Sequence, residues 1–146
     1  MRDNRSSINI QSMLAPAVLT ADATSAAIDT AGYDAATVEI HVAAGGITFS
    51  GSDKIEFLLT HCDTSGGTYE AVTDADVLLP ASQTVGAGGI VKSLIAAHAA
   101  ASVTRVGYIG NKRYLKLAAD FSGTHGTGTG ISASLVQDRA RLKAVA

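Results

Sequence analysis

The sequence predicts an all-β protein: an antiparallel β-sandwich or jelly-roll-like barrel of about eight to ten short strands, with extended N- and C-terminal arms. Three observations predict it. Apolar and polar residues alternate strictly in several segments, the mark of strands with one buried face. Turn-forming clusters recur every roughly 8–12 residues. Of the 146 residues, 68 are Ala, Gly, Ser or Thr, aromatics make up 5% and Trp is absent. Such a composition suits thin, closely packed sheets, because burying Ala removes less apolar surface than burying Leu or Phe, at roughly 25 cal/mol per Å². The lone subunit is therefore expected to be modestly stable, with partners adding to it. The length fits one domain, and a 47% hydrophobic fraction excludes a disordered chain.

The elements follow in order. Residues 1–14 are polar with apolar punctuation and read as an N-terminal arm ended by Pro16, which disfavours helix in itself and its predecessor. The sandwich is expected over residues 15–137. Val18-Leu19-Thr20 and Ala26 to Asp29 are short strands, and Gly32-Tyr33-Asp34 is a turn. Thr37 to Val42 alternates, with Val38, Ile40 and Val42 on one face. Lys54 to Cys62 does the same with Ile55, Phe57, Leu59 and His61, and Thr68 to Val72 returns beside it as a hairpin. Asp74 to Leu79 is a strand or a turn before Pro80. Gln83 to Gly89 is a loop. Ile90-Val91 favours strand, whereas the Ala-rich stretch after Ser93, up to Ala101, has helix-forming composition and admits a helical turn. Val103 to Ile109 and Arg113 to Phe121 flank Gly110-Asn111-Lys112 as a second hairpin. A Gly-rich loop spans Gly123 to Gly130, and Ile131 to Val136 is the last strand. Residues 138–146 form a basic tail. No internal repeat is present.

Eleven basic residues stand against thirteen acidic ones, a net charge of −2. That balance opposes a nucleic-acid partner, whose phosphates would call for a basic stripe. Lys112-Arg113 is the one basic pair in the body of the chain, and its plain reading is a solvated strand end. No apolar run reaches the roughly 20 residues that span a bilayer, and Met1 to Ser7 lacks the apolar stretch of a secretory signal. No membrane partner is expected. Cys62 is the single cysteine, which fits folding in a reducing cytosol.

No constellation for catalysis emerges, so an enzyme is not expected, nor a cofactor or metal. His41, His61, His98 and His125 have no metal-ligand spacing. A His41–His61 pair would need neighbouring strands; one partly buried and one solvent-facing histidine is the plainer reading. Cys62 lacks a cationic neighbour or helix N-terminus to activate it. Asp74 and Asp76 do not make a calcium loop. The glycines from Gly126 to Gly130 precede a strand, not the helix that a phosphate cradle uses.

One pattern points further. Leu14-Ala15-Pro16-Ala17-Val18-Leu19-Thr20-Ala21-Asp22, Gly32-Tyr33-Asp34-Ala35-Ala36-Thr37-Val38, and Val106-Gly107-Tyr108-Ile109-Gly110-Asn111-Lys112-Arg113-Tyr114-Leu115 occur in this order. The chain resembles, from Leu14 to its end, small proteins encoded among the head genes of tailed bacteriophages and prophages. The segment around Gly110 is the sharpest part of the likeness. Many such proteins end in a His-Pro-Arg-like tail; here the stretch reads Gln137-Asp138-Arg139-Ala140-Arg141, so a contact made by that motif is not carried over. The resemblance implies a virion structural protein at the capsid surface, assembled in the host cytoplasm. The expected role is a decoration or cement protein that binds the major capsid protein and other copies of itself as a homo-oligomer, with a trimer as one candidate. The expected contacts are Arg2, Arg5, Ile8, Ile10, Met13 and Leu14 in the N-terminal arm, Lys112, Arg113 and Tyr114, and Arg139 and Arg141 in the tail. A neck, tail or fibre component is the first alternative. A carbohydrate-binding β-sandwich is the second, opposed by the scarcity of aromatic platforms.

Overall fold

A computed structural model of the protein describes residues 5–140. Among them there is no helix, and eleven strands form two antiparallel sheets that pack into a sandwich. The strands are β1 (Asn9–Leu19), β2 (Ala23–Thr24), β3 (Ile28–Asp29), β4 (Tyr33–Val42), β5 (Lys54–Cys62), β6 (Glu70–Ala71), β7 (Val77–Leu78), β8 (Ile90–Leu94), β9 (Ser102–Tyr108), β10 (Tyr114–Ser122) and β11 (Thr129–Ala140). The first sheet runs β1-β11-β4-β9-β7. The second centres on β10 and β5; β2 and β3 line the free side of β10, and β6 and β8 line that of β5.

The alternation read from sequence sets the core. Val38, Ile40, Val106 and Leu135 of the first sheet are buried against Ile55, Phe57, Leu59, Leu115 and Leu117 of the second. Ser25 carries the edge of the second sheet across the gap between β2 and β3: its N–H donates to Leu117 O at 2.8 Å and its Oγ accepts Leu117 N–H at 2.9 Å. The hairpin of β5 and β6 forms as expected, with His61 opposite Glu70.

Three expectations are corrected. Residues 9–14 are not an arm: they are the first half of β1, an edge strand paired along β11 from Asn9–Gln137 to Leu19–Thr129. Met13 and Leu14 are buried in the core. Irregularities at Ser12/Leu14 and Leu14/Ala17 shift the register, which blurs the period-two signal and lets consecutive residues face inward. Likewise, Asp138 and Ala140 pair with Ala35 and Tyr33, so the strand continues where the tail was expected to start. Second, the Ala-rich stretch is not helical. β8 ends at Leu94, and Ala96, Ala97, Ala99 and Ala100 are exposed; so short a helix with no face to bury is not stable. Third, β9 and β10 are not a hairpin, because they belong to different sheets.

One inward-facing row of the first sheet is polar. Asn9, Gln137, Ala36, Tyr108 and Val77 are register partners across all five strands. Gln137 is fully buried. Its Oε1 accepts Asn9 Nδ2 at 2.9 Å and Gln11 Nε2 at 2.8 Å, and its Nε2 donates to Asp29 O of the opposite sheet at 2.7 Å. Gln137→Ala would leave those three groups without a partner and open a void. We expect a loss of about 3 kcal/mol in urea unfolding, with an unchanged m-value.

Candidate functional site

The polar row marks one end of the sandwich, and two chain crossings meet there. The first leads from β3 in the second sheet through Thr30-Ala31-Gly32 to β4 in the first. The second leads from β9 in the first sheet through residues 109–113 to β10 in the second. Gly32 makes its turn with φ of +92°, a conformation that disfavours other residues.

The crossings are laced together. Thr30 donates to Arg113 O through both its N–H, at 2.9 Å, and its Oγ1, at 2.7 Å. The Arg113 guanidinium grips Asp29 with two bonds, Nε to Oδ1 at 2.8 Å and Nη2 to Oδ2 at 2.7 Å. It also lies 5.1 Å from the Tyr114 ring centroid. Lys112 Nζ meets Asp63 Oδ2 at 2.6 Å. The guanidinium holds the Asp29 carboxyl below the usual carboxylate range, and Asp63 holds the Lys112 ammonium above its usual value.

Tyr108 sets the shape of the second crossing. Its ring is buried and its hydroxyl lies 3.0 Å from His61 Nδ1, which joins the two sheets. The same oxygen accepts Lys112 N–H at 3.0 Å and lies 3.2 Å from Lys112 O. Burial raises the phenol above its ordinary pKa, so it stays a donor at neutral pH. Gly110 lies so close that a Cβ there would sit 2.7–2.8 Å from the Tyr108 ring edge and hydroxyl. Asp76 O receives the N–H groups of Ile109 and Gly110 at 2.8 and 3.0 Å. The Asp76 carboxylate is held below its usual range by the Thr73 N–H and hydroxyl.

Between the crossings lies an open cleft of about 570 Å³, lined by residues 30–36 and 108–113. Its lining mixes small residues, Ala31, Gly32, Ala35, Ala36 and Gly110, with larger or polar ones, among them Tyr33, Asp34, Asn111, Lys112 and Arg113. Two of the three segments singled out in the sequence, 32–38 and 106–115, contribute residues to its lining.

No protein-family model and no curated protein sequence matches the chain.

The expected contact residues divide. Lys112 and Arg113 belong to the second crossing, and Tyr114 opens β10 directly after it. Arg139 is exposed at the end of β11, which pairs there with the start of β4. Arg5, exposed, and Ile8, half-buried, lead into β1 beside the end of β11. Ile10 is exposed on the outer face of the first sheet. Met13 and Leu14 are core residues and are not surface contacts. Arg2 and Arg141 lie outside the described residues. Sequence reading missed Asp29, Asp63, Thr30 and Gln137, because their roles arise only where separate strands meet.

The histidines do not gather. His41 sits on the outer face of the first sheet with Nε2 3.8 Å from Glu39, while His61 is buried in the second. His125, from the Gly-rich loop at the opposite end, is buried against Phe121 and Phe49, with Nε2 2.8 Å from Ser122 O. Among the described residues, no group of three His, Cys, Asp or Glu side chains is placed to hold a metal ion.

Two predictions follow from these bonds. Tyr108→Phe keeps the ring but removes the hydroxyl shared by His61 and Lys112, and should cost about 1–3 kcal/mol in chemical denaturation. The Asp29 carboxyl should titrate below the ordinary value of about 3.9 and move back towards it in Arg113→Ala, read by carboxyl carbon NMR. A depressed folded-state pKa stabilises the protein above the unfolded value, and that stabilisation is lost as the pH falls through the folded value.

Proposed function

We propose that this protein is a virion structural protein of a tailed phage or prophage: a capsid decoration or cement protein that binds the major capsid shell and associates with its own copies. The observation that carries this reading is the convergence at one end of the sandwich. Two segments that bear the resemblance, about seventy residues apart in the sequence, are laced into one cleft. The start of β1 and the end of β11 emerge beside it, because Asn9 and Gln137 are register partners. Residues 1–8 and 141–146 therefore attach to the body on the same side as Lys112, Arg113 and Arg139. A cement protein works by this kind of geometry: a rigid body presents one docking end, and the segments that leave it there add contact area on a neighbour.

The reading is tested on purified particles and in reconstitution. Virions should contain the protein in shell-like numbers, hundreds of copies, rather than the few that make one neck ring. A chain trimmed of residues 1–8 and 141–146 should keep its far-UV circular dichroism and lose binding to capsids. Absence from virions, a ring-like copy number, or undiminished capsid binding by the trimmed chain would each reject the shell assignment.

A further inference from the structure

A sheet edge is a row of backbone N–H and C=O groups that another strand can complete, and folded proteins guard such edges with charges, prolines, bulges or brevity. The sandwich guards most of its edges. β2, β3, β6 and β7 are two residues long, and β8 carries Lys92 and a register irregularity opposite Phe57 and Leu58. β1 is the exception. It runs for 11 residues without a charged side chain. Its second half is guarded by Pro16 and by the irregularities between Ser12 and Ala17. Its first half, Asn9 to Ser12, pairs with β11 in unbroken register and has no such device.

The phase of the hydrogen bonds shows what that half offers. Ala43 N–H donates to Gly130 O at 2.8 Å. The even-numbered residues of β11 therefore turn their backbone groups towards β4, and the odd-numbered ones towards β1. Asn9 and Gln11, opposite Gln137 and Leu135, bond inward; Ile10 and Ser12, opposite Val136 and Ser134, turn N–H and C=O outward. Among the described residues, no strand pairs with β1 on that side.

We infer that this bare half-edge takes residues 141–146 of a second copy as an added strand. The inference rests on the decoration reading and deepens it by naming the contact through which copies join. Three observations select the occupant. The segment, Arg141-Leu142-Lys143-Ala144-Val145-Ala146, follows β11 directly and contains neither Pro nor Gly. Its alternation matches the edge: Leu142 and Ala144 share a face with the exposed Ile10, and Arg141 and Lys143 share the other with the polar Asn9 and Gln11. It also leaves the body at the end where the bare half-edge lies, because Asn9 and Gln137 are register partners. Six residues at about 3.3 Å each reach about 20 Å, enough to run along Asn9 to Ser12 of an adjoining copy. To reach the edge of its own copy, the segment would have to reverse and pass residues 5–8, leaving too few residues to pair. Strand addition needs no broad face, since main-chain bonds supply the affinity and alternate side chains set the register.

Sedimentation equilibrium of the full chain over a concentration series, with amide hydrogen exchange at both ends of the series, tests this. The wild type should self-associate, and the Ile10 and Ser12 amides should exchange at least about tenfold more slowly when concentrated than when dilute. Ile10→Pro removes an outward N–H and leaves the bonds to β11; Ala144→Pro interrupts the added strand. Each should keep the wild-type circular dichroism and weaken association about tenfold or more. Their mixture should associate more tightly than either alone, since the edge of one variant and the segment of the other are intact. The exchange measurement needs no substitution and decides the case if Ile10→Pro does not fold. A wild type monomeric at all concentrations, amides protected equally when dilute, Ala144→Pro associating like the wild type, or a mixture no tighter than its components would overturn the inference. Capsid binding is scored separately. Wild-type chain that associates in this way but binds no capsid overturns the decoration reading and leaves the edge contact standing; chain that binds capsids while Ile10 and Ser12 stay unprotected does the reverse.

Discussion

Gln137 is the constraint on which the end of the sandwich depends. A primary amide with no exposure to water has to find its partners within the protein, since each unmet bond leaves a desolvated polar group. Gln137 finds three, and they come from two places: the edge strand β1, through Asn9 and Gln11, and the opposite sheet, through Asp29 O. One side chain on β11 thereby docks an edge strand and sets the approach of the two sheets. It also fixes the backbone of Asp29, whose carboxylate receives Arg113. The chain of bonds from Asn9 through Gln137 and Asp29 to Arg113 is continuous.

Tyr108 performs the parallel task two strands along the same row. Ala36, between Gln137 and Tyr108, is small enough to leave room for both. The Tyr108 hydroxyl joins His61 of the other sheet and the Lys112 backbone, so the crossing from β9 to β10 is held from inside while Asp29 and Asp63 hold it from outside. Exposed ion pairs of this kind contribute little singly. Here they act on loops whose backbones are already bonded, at Thr30 to Arg113 and at Asp76 O. An end of the sandwich tied in this way is held in one shape by the protein's own bonds.

The sandwich combines a polar, tied end with one outer face where small and apolar residues surround Glu39, His41 and Arg105, and another that carries the Lys54–Glu56 pair and Lys116 beside Tyr69. Its alanine, glycine, serine and threonine content is spread accordingly. Small residues flatten the outer face of the first sheet, at Ser132, Ser134, Gly107 and Gly130, and permit the close approach of Gly110 to Tyr108. The core is made by Val, Ile, Leu and Phe side chains from the inward faces of the long strands. The composition therefore describes the surface and the crossings more than the interior.

The sequence by itself determined the fold class, the long strands and their buried faces, because period-two alternation is a local property that each strand carries alone. Val38-Ile40-Val42 and Ile55-Phe57-Leu59 were legible for that reason. It also singled out Lys112, Arg113 and Tyr114. Only the tertiary structure decided that β9 and β10 part into different sheets, since a turn cluster such as Gly110-Asn111-Lys112 serves a hairpin or a crossing equally well. Only it decided that Met13 and Leu14 are core, because register irregularities in β1 hide the pattern that would have shown it. Asn9 for Gln137, Arg113 for Asp29 and His61 for Tyr108 lie 47 to 128 residues from their partners. Contacts at such separations leave no local signal, for they exist only once the two sheets have closed on each other.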